Sequence, residues 1–438
     1  MSGRRILVVG AGFAGLYAAM GMRSLARSGH RVTVVNPENF MQYQPFLPEV
    51  ASGTIDPRAV VVPLRRVLRH CEIVIGEVER VDHAARTALV ALADGREVSI
   101  DYDVVVLTPG SWARVLPVPG LAEHGVGFTS VPEAIWLRNR ILSRLDLAAE
   151  VDDAERRRAA LTMVFVGGGF AGVEALGELE DLARDAVANY PTIRRSQMRW
   201  VLVEAAGAIL PELDAELAAY ARASLEERGI EILLHTRLES AEDGIVRLSD
   251  GQVFAADTIV WTAGVKPSPL ASASGFPTDE AGRIRTNARL EVDGVVDAWA
   301  AGDAAAVPDA SSSGTMPPTA QHGMRQGRHL ARNLVASLEG GAPSAFDYRG
   351  IGSVCSLGRY KGVASIFGVR LRGFPAWFAH RSYHLLAMPT FTRKVKIALD
   401  WTIALLFPRD IAQLGSLEHP RSRFERAARG SGATDRPG

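Results

Sequence analysis

Two glycine fingerprints lie 157 positions apart in this chain, and few features restrict a fold more. The first, Gly10-Ala11-Gly12-Phe13-Ala14-Gly15, follows the apolar run Ile6-Leu7-Val8-Val9. The second, Gly167-Gly168-Gly169-Phe170-Ala171-Gly172, follows Met163-Val164-Phe165-Val166. Each reads as strand, tight turn, helix. The first glycine permits the turn, the second lets backbone approach a pyrophosphate, and the third lets the helix pack close on its strand. The helix N-terminus then offers unpaired N–H groups and its positive dipole end to the phosphates. One such motif is weak evidence. Two, each in a strand–helix setting, point to an α/β chain of two Rossmann-like domains binding two dinucleotides. A flavin and a nicotinamide nucleotide are the pair with complementary chemistry, since one gives a hydride and the other takes it.

The two halves repeat further. Arg31 to Val35 reads as the second strand of the first half. At its end, 21 positions past Gly15, such folds offer Asp or Glu to a ribose. Here Asn36 stands, with Glu38 two further on. In the second half the matching strand, Arg199 to Val203, ends in Glu204. A carboxylate there bonds a ribose 2′-OH and repels a 2′-phosphate, which predicts NADH over NADPH. A closing strand over 101–107 runs into Thr108-Pro109-Gly110. Its echo, Thr258 to Trp261, runs into Thr262-Ala263-Gly264. Small-residue turns of this kind mark the carboxyl edge of a doubly wound sheet, where ligands sit.

Other segments carry chemistry of their own. Phe40 to Glu49 is too broken by proline for a strand and too aromatic for an ordinary solvent loop. It suits a loop packed on the core or one covering a flat aromatic ring. Gly302 permits close approach, and Asp303 can bond a ribityl hydroxyl. A helix is predicted from about Thr319 to Leu338. Another, led by Arg393-Lys394-Val395-Lys396, continues through Trp401 to Phe407, with Ile397, Trp401, Ala404 and Leu405 on one face. Basic residues at one end and Trp and Leu along the body suit a helix lying in a membrane interface. The same composition suits a core or dimer-interface helix.

Several classes are excluded or disfavoured. Lys+Arg and Asp+Glu both total 49, so net charge implies no nucleic-acid partner. The two cysteines, Cys71 and Cys355, form no C-x-x-C pair, which disfavours a redox-active disulfide beside a flavin. No secretion signal and no run of about 18 apolar residues is present. The ten histidines show no ligand spacing, so no metal is expected; His380 and His384 read as a surface or interfacial pair.

The motifs together resemble the type II NADH dehydrogenases, single-subunit flavin NADH:quinone oxidoreductases of respiratory membranes. The resemblance spans nearly the whole chain. It rests on the first fingerprint, Tyr43-Gln44-Pro45-Phe46-Leu47, Gly168 to Glu174, Leu202 to Ala205, Trp261 to Val265, Gly302-Asp303, Pro317 to Gln321, Ala376-Trp377, Trp401 and Phe407 to Asp410. It implies FAD held by Gly10, Gly12, Phe13, Ala14, Gly15, Asn36, Glu38, Thr108, Pro109, Gly110, Gly302, Asp303 and Ala320, with Gln44 and Pro45 near the ring. It implies NADH held by Gly167, Gly169, Gly172, Glu204, Ala263 and Gly264, with Glu174 near the nicotinamide. The implied acceptor is a membrane quinone, menaquinone or ubiquinone, reduced without proton pumping. The implied place is peripheral, on the cytoplasmic face of the cell membrane, with a homodimer as a further expectation.

The expected organisation is an FAD-binding domain over 1–125 and 285–345, with an NADH-binding domain over 126–284 inserted. A membrane-associating or dimerisation region over 346–425 and a disordered tail over 426–438 follow. One position departs from the family. Two glutamines one helical turn apart are usual at its quinone site. Here Gln321 keeps the first place, Arg325 stands four later and Gln326 five later, a rotation of about 100°. Two rival readings share both nucleotide domains: a soluble flavin reductase of a ferredoxin-like protein, and an NADH-binding redox sensor.

Overall fold

The computed structural model describes residues 3–312, 314–413 and 425. The expected tail, 426–438, lies outside the described residues. Near-continuous apolar runs build parallel strands covered on both faces, and both fingerprint strands are of this kind. Arg5–Val9 pairs in parallel with Arg31–Asn36 on one side and Val104–Leu107 on the other. The order of strands therefore reverses at the first fingerprint, the position where open α/β sheets bind ligands.

Glu72–Asp82 extends this sheet beyond Arg31–Asn36 and continues into an antiparallel meander with Thr87–Leu92 and Glu97–Asp101. The predicted closing strand is thus split. Asp101 ends the meander, and the chain bends at Tyr102-Asp103 before Val104–Leu107. The seventh strand, Ala298–Ala300, pairs beside Val104–Leu107, so the chain returns to its first sheet after completing the second.

The second sheet is wholly parallel, with Thr162–Val166 at its centre. Arg199–Val203 and Ile230–Leu233 lie to one side of it, and Thr258–Trp261 and Gly125–Val126 to the other. The extra spacing before Glu204 is filled by the long helix Phe170–Val187 and the short 3-10 turn Arg195–Gln197.

The same device closes both fingerprints. Gly10 and Gly167 adopt φ of +85° and +112°, a region open to glycine at low cost. A Cβ on Gly15 would fall inside the contact distance of the Gly10 carbonyl oxygen and Thr108 Oγ1. A Cβ on Gly172 would meet the Gly167 oxygen and Thr262 Oγ1 in the same way. Gly12 and Gly169 have nothing within 4 Å of that position among the described residues. The helix after the first fingerprint is interrupted. Phe13–Gly21 breaks at Met22, and Arg23–Arg27 follows before Gly29.

The C-terminal part holds an antiparallel meander that the sequence pattern did not announce: Gly352–Ser356, Gly362–Ile366 and Val369–Arg372. Two helices follow, Phe374–Ala387 and Phe391–Leu406. In the last helix Ile397 is buried, while Leu405, expected on the same face, is exposed. A second apolar stripe, Phe391, Val395, Leu399, Ile403 and Leu406, is exposed along it. Among the described residues, no helix is long and apolar enough to cross a membrane.

Crowding separates two glycines that a motif treats alike. Gly15→Ala should destabilise the protein by about 1–3 kcal/mol through overpacking, read as a fall of a few degrees in thermal unfolding followed by circular dichroism. Gly12→Ala should leave the transition in place and lower flavin retention instead. Equal melting of the two variants would refute this division.

Candidate active site

The first fingerprint opens onto a cleft of about 850 Å³. Gly10, Gly12, Phe13 and Ala14 form its floor, Asn36 and Glu38 one end, and Thr108, Pro109 and Gly110 a side wall. Gly302, Asp303, Ala320 and Gln44 complete it. Gly15 is not among the lining residues, because its part is packing against Gly10. Pro45 is not among them either; it follows Gln44 in the 3-10 turn Gln44–Phe46.

Asn36 takes a definite part. Its Oδ1 accepts from the Ala11 N–H at 2.8 Å, and its Nδ2 donates to the Glu38 carbonyl at 2.8 Å. Asp303 Oδ2 accepts from the Ser111 hydroxyl at 2.8 Å. Burial pushes its carboxyl above the ordinary range, and that hydroxyl pulls part of the way back.

The proline-broken aromatic segment after Phe40 is more ordered than a loop. Phe40–Gln42 pairs with Val61–Pro63, and Leu47–Ala51 is a short helix. Gln42 and Gln44 both donate to the Thr129 carbonyl, at 2.7 and 3.2 Å. Behind the segment, Tyr43 packs on Phe13 and Phe46, and Phe46 packs edge-on to Trp401 at 5.7 Å. The C-terminal helices therefore buttress the wall of the cleft.

The second fingerprint repeats the plan. Glu204 Oε2 accepts from the Gly168 N–H at 2.6 Å, and Oε1 from Ala206 N–H at 2.7 Å. Asn36 and Glu204 thus occupy matched places, each bonding the residue after the first fingerprint glycine. Thr262 Oγ1 donates to the carbonyls of Val166 and Gly167, both at 3.0 Å. Ala263 and Gly264 continue from that anchor, with Gly264 at φ +92°.

The helix Ala320–Glu339 is capped by Thr319, whose side chain accepts from His322 N–H. It presents its amides in different directions. Gln321 donates to the Gly352 carbonyl at 3.1 Å and accepts from Tyr348 Oη at 2.9 Å. Arg325 lies over the Tyr348 ring at 4.3 Å. Gln326 is buried, and its Oε1 accepts from Gly302 N–H at 2.8 Å. The expectation that Gln326 stands in for a second acceptor-side amide is therefore corrected. One residue of helical rotation turns it onto the backbone of the first site, where it positions Gly302. Gln321 and Arg325 remain together beside Tyr348.

Comparison with known proteins fits this plan. The pyridine nucleotide-disulphide oxidoreductase profile matches residues 4–327. The type II NADH:quinone oxidoreductase of Mycobacterium tuberculosis is 31% identical over 420 residues, covering 92% of this chain and 89% of that protein. The Staphylococcus aureus type II NADH:quinone oxidoreductase is 30% identical over 384 residues, 86% of this chain and 92% of the other. The chain belongs to this family. Its fold matches NDH2 from Plasmodium falciparum, solved in complex with NADH, with a TM-score of 0.87 at 15% identity. That match covers 93% of this chain and 99% of the other.

The type II chain also encloses a group of acids and imidazoles that motifs do not reveal. Glu174 is buried and accepts from Ser356 N–H at 3.0 Å. His380 Nε2 lies 3.0 Å from Glu174 Oε1 but is not aligned for a hydrogen bond. His384 bonds Tyr43 Oη at 3.1 Å and packs edge-on to His380 at 4.6 Å. The two histidines are therefore no surface pair: helix Phe374–Ala387 packs against the core and carries them inward. Glu49 is buried, and neither carboxylate oxygen has a hydrogen-bond partner among the described residues. Its only hint in the sequence is a single acid in the apolar run Phe46-Leu47-Pro48-Glu49-Val50-Ala51. Burial raises Glu49 and Glu174 to about 8 and lowers His380 to about 3.

These shifts set a pH dependence of stability. The folded chain keeps protons on Glu49 and Glu174 that the unfolded chain releases near its ordinary value of about 4.5, so stability falls as pH rises from there to about 8. His380 acts oppositely, since the unfolded imidazole takes a proton near 6.5 that the folded one refuses until about 3. Glu49→Gln should make the fall between pH 5 and 8 shallower by up to about 1.4 kcal/mol per pH unit, measured by urea unfolding across that range. An unchanged slope would mean that Glu49 is ionised when buried.

Proposed function

We propose that this chain is an FAD-dependent NADH:quinone oxidoreductase that works at the cytoplasmic face of the cell membrane without pumping protons. The observation that carries the reading is the doubled phosphate-accepting turn, locked by one threonine in each half, in a chain aligned over most of its length with type II relatives. FAD, when bound, would supply the redox chemistry between NADH and a quinone.

The chain's own residues bind and orient. The open Gly12 and Gly169 leave room for a pyrophosphate at the start of each helix. Asn36 holds the first turn in shape, and Asp303 offers its carboxyl to the sugar chain. Glu204 braces the second turn and takes the ribose diol, which favours NADH over NADPH. Glu174, kept protonated by burial, faces Ser356 and His380 from the helix that begins the second site. Gln321 and Arg325 line the acceptor side, where a guanidinium can stabilise negative charge on a reduced acceptor.

Membrane attachment is supported by the exposed stripe on the last helix. Leu399 and Ile403 are each 57% exposed, beside Lys394 and Lys396. Apolar residues on one face with basic residues along the same helix suit an interface between water and lipid. The same stripe is where a second copy would bind were the protein a homodimer.

Anaerobic stopped-flow absorbance tests the reaction. Mixing with NADH should bleach the flavin band, and a soluble menaquinone analogue should restore it within the turnover time. Reduction without reoxidation by the quinone would reject the acceptor and leave a protein acceptor or sensor. In the same assay, Glu204→Gln should raise the apparent Kd for NADH by roughly 10-fold, the scale of one lost charge-assisted bond.

A further inference from the structure

A second cleft, of about 650 Å³, lies apart from the one lined by the first fingerprint. Met20, Arg23 and Arg27 line one side, and Arg66, Arg69 and His70 the other. None of its lining residues is acidic. Among the described residues, none of the four arginines forms an ion pair. The contrast within the same sheet domain is direct: Arg4, Arg5, Arg31, Arg86 and Arg96 each meet a carboxylate within 4 Å. Four unpaired guanidiniums converging on one concavity repel one another unless an anion joins them.

Its location is informative. One turn before Met20, Tyr17 Oη donates to the Ala387 carbonyl, at the end of helix Phe374–Ala387. Arg66 is close enough to Arg393, in the first turn of the last helix, to act on its charge. Lys394 Nζ donates to the Leu386 carbonyl at 2.7 Å, adding a cation to the same corner. At that corner Leu386 and Phe391 are 72% and 80% exposed. A cationic cleft thus adjoins apolar side chains that nothing covers among the described residues.

We propose that this cleft binds the headgroup phosphate of an anionic phospholipid, whose acyl chains lie along Leu386 and Phe391. The inference rests on the membrane-docking reading above. Guanidiniums recognise phosphate oxygens in pairs, and the apolar corner distinguishes a lipid from a free phosphate. The site would select anionic membranes and fix how the enzyme sits on them.

The test is vesicle flotation of the full chain, with phosphatidylcholine alone or mixed with phosphatidylglycerol, at constant ionic strength. Wild type should partition at least about 10-fold more strongly to the anionic vesicles, given the usual attraction of each basic residue to such a surface. Arg23→Gln/Arg66→Gln should fall to the level of neutral vesicles, with NADH:ferricyanide activity and melting unchanged. Leu399→Ser/Ile403→Ser should weaken binding to both vesicle types. If wild type binds both compositions equally, the headgroup site is overturned while membrane docking stands. If it binds neither, the docking reading fails and the headgroup site with it. If the arginine variant retains the anionic preference, other cations provide it and the cleft assignment is wrong. Calorimetric binding of inorganic phosphate that the variant abolishes, with no vesicle preference in wild type, would make this a free-phosphate site and overturn the lipid.

Discussion

One hydroxyl in each half holds the ligand-binding turns in shape. Thr108 Oγ1 shares its proton between the carbonyls of Val9 and Gly10, at 2.8 and 3.0 Å. Thr262 does the same for Val166 and Gly167. Each bond ties the end of the closing strand to the end of the fingerprint strand, where the parallel ladder has run out. The first glycine then has only one way to turn. The helix that follows packs so close that the third glycine has no space for a methyl group. What remains is an open second glycine, facing away from protein. Binding capacity at both sites is therefore a consequence of packing behind them.

Charge burial is a second constraint, concentrated on the helix Phe170–Val187. It begins at the nucleotide turn and ends among Arg184, Arg195 and Arg228, which pair with Glu180 or Asp181. Those acids are compensated, so their burial is tolerable. Glu174 and Glu49 are not matched in that way, and neutral carboxyls are the cheaper state for them. A structural interior would gain from replacing them by apolar residues. Glu49 acts on Tyr43, and Glu174 lies beside His380, which packs on His384.

The glycine turns, their strands and the doubled architecture were legible because each rule there is local. A tight turn, a buried parallel run and a capped helix depend on neighbours within about 20 positions. Thr319 as cap, Glu204 at the strand end and Asn36 at its counterpart could all be read from spacing. The inward histidines could not. His380 and His384 look like surface residues until helix Phe374–Ala387 is known to pack onto Tyr43, 341 positions before His384, and onto Glu174, 206 before His380. The meander over 352–372 was missed for a related reason: its strands are short, interrupted by glycine and carried by long-range cover. Leu405 shares its spacing with Ile397 yet is exposed, because a helix with two apolar stripes gives the same periodicity for both.

That last ambiguity bears on how the molecule works. The last helix uses Ile397 and Trp401 to brace Phe46, and so the segment that walls the first cleft. Leu399 and Ile403, on its other side, are exposed. A single rigid element 16 residues long thus joins the outer apolar surface to the cleft wall. Movement of one face cannot leave the other in place, because its residues share one hydrogen-bonded backbone. Gln326, turned onto Gly302, secures the opposite wall from the helix Ala320–Glu339. The cleft is thus clamped from two directions, by the helix Phe391–Leu406 through Phe46 and by the helix Ala320–Glu339 through Gly302.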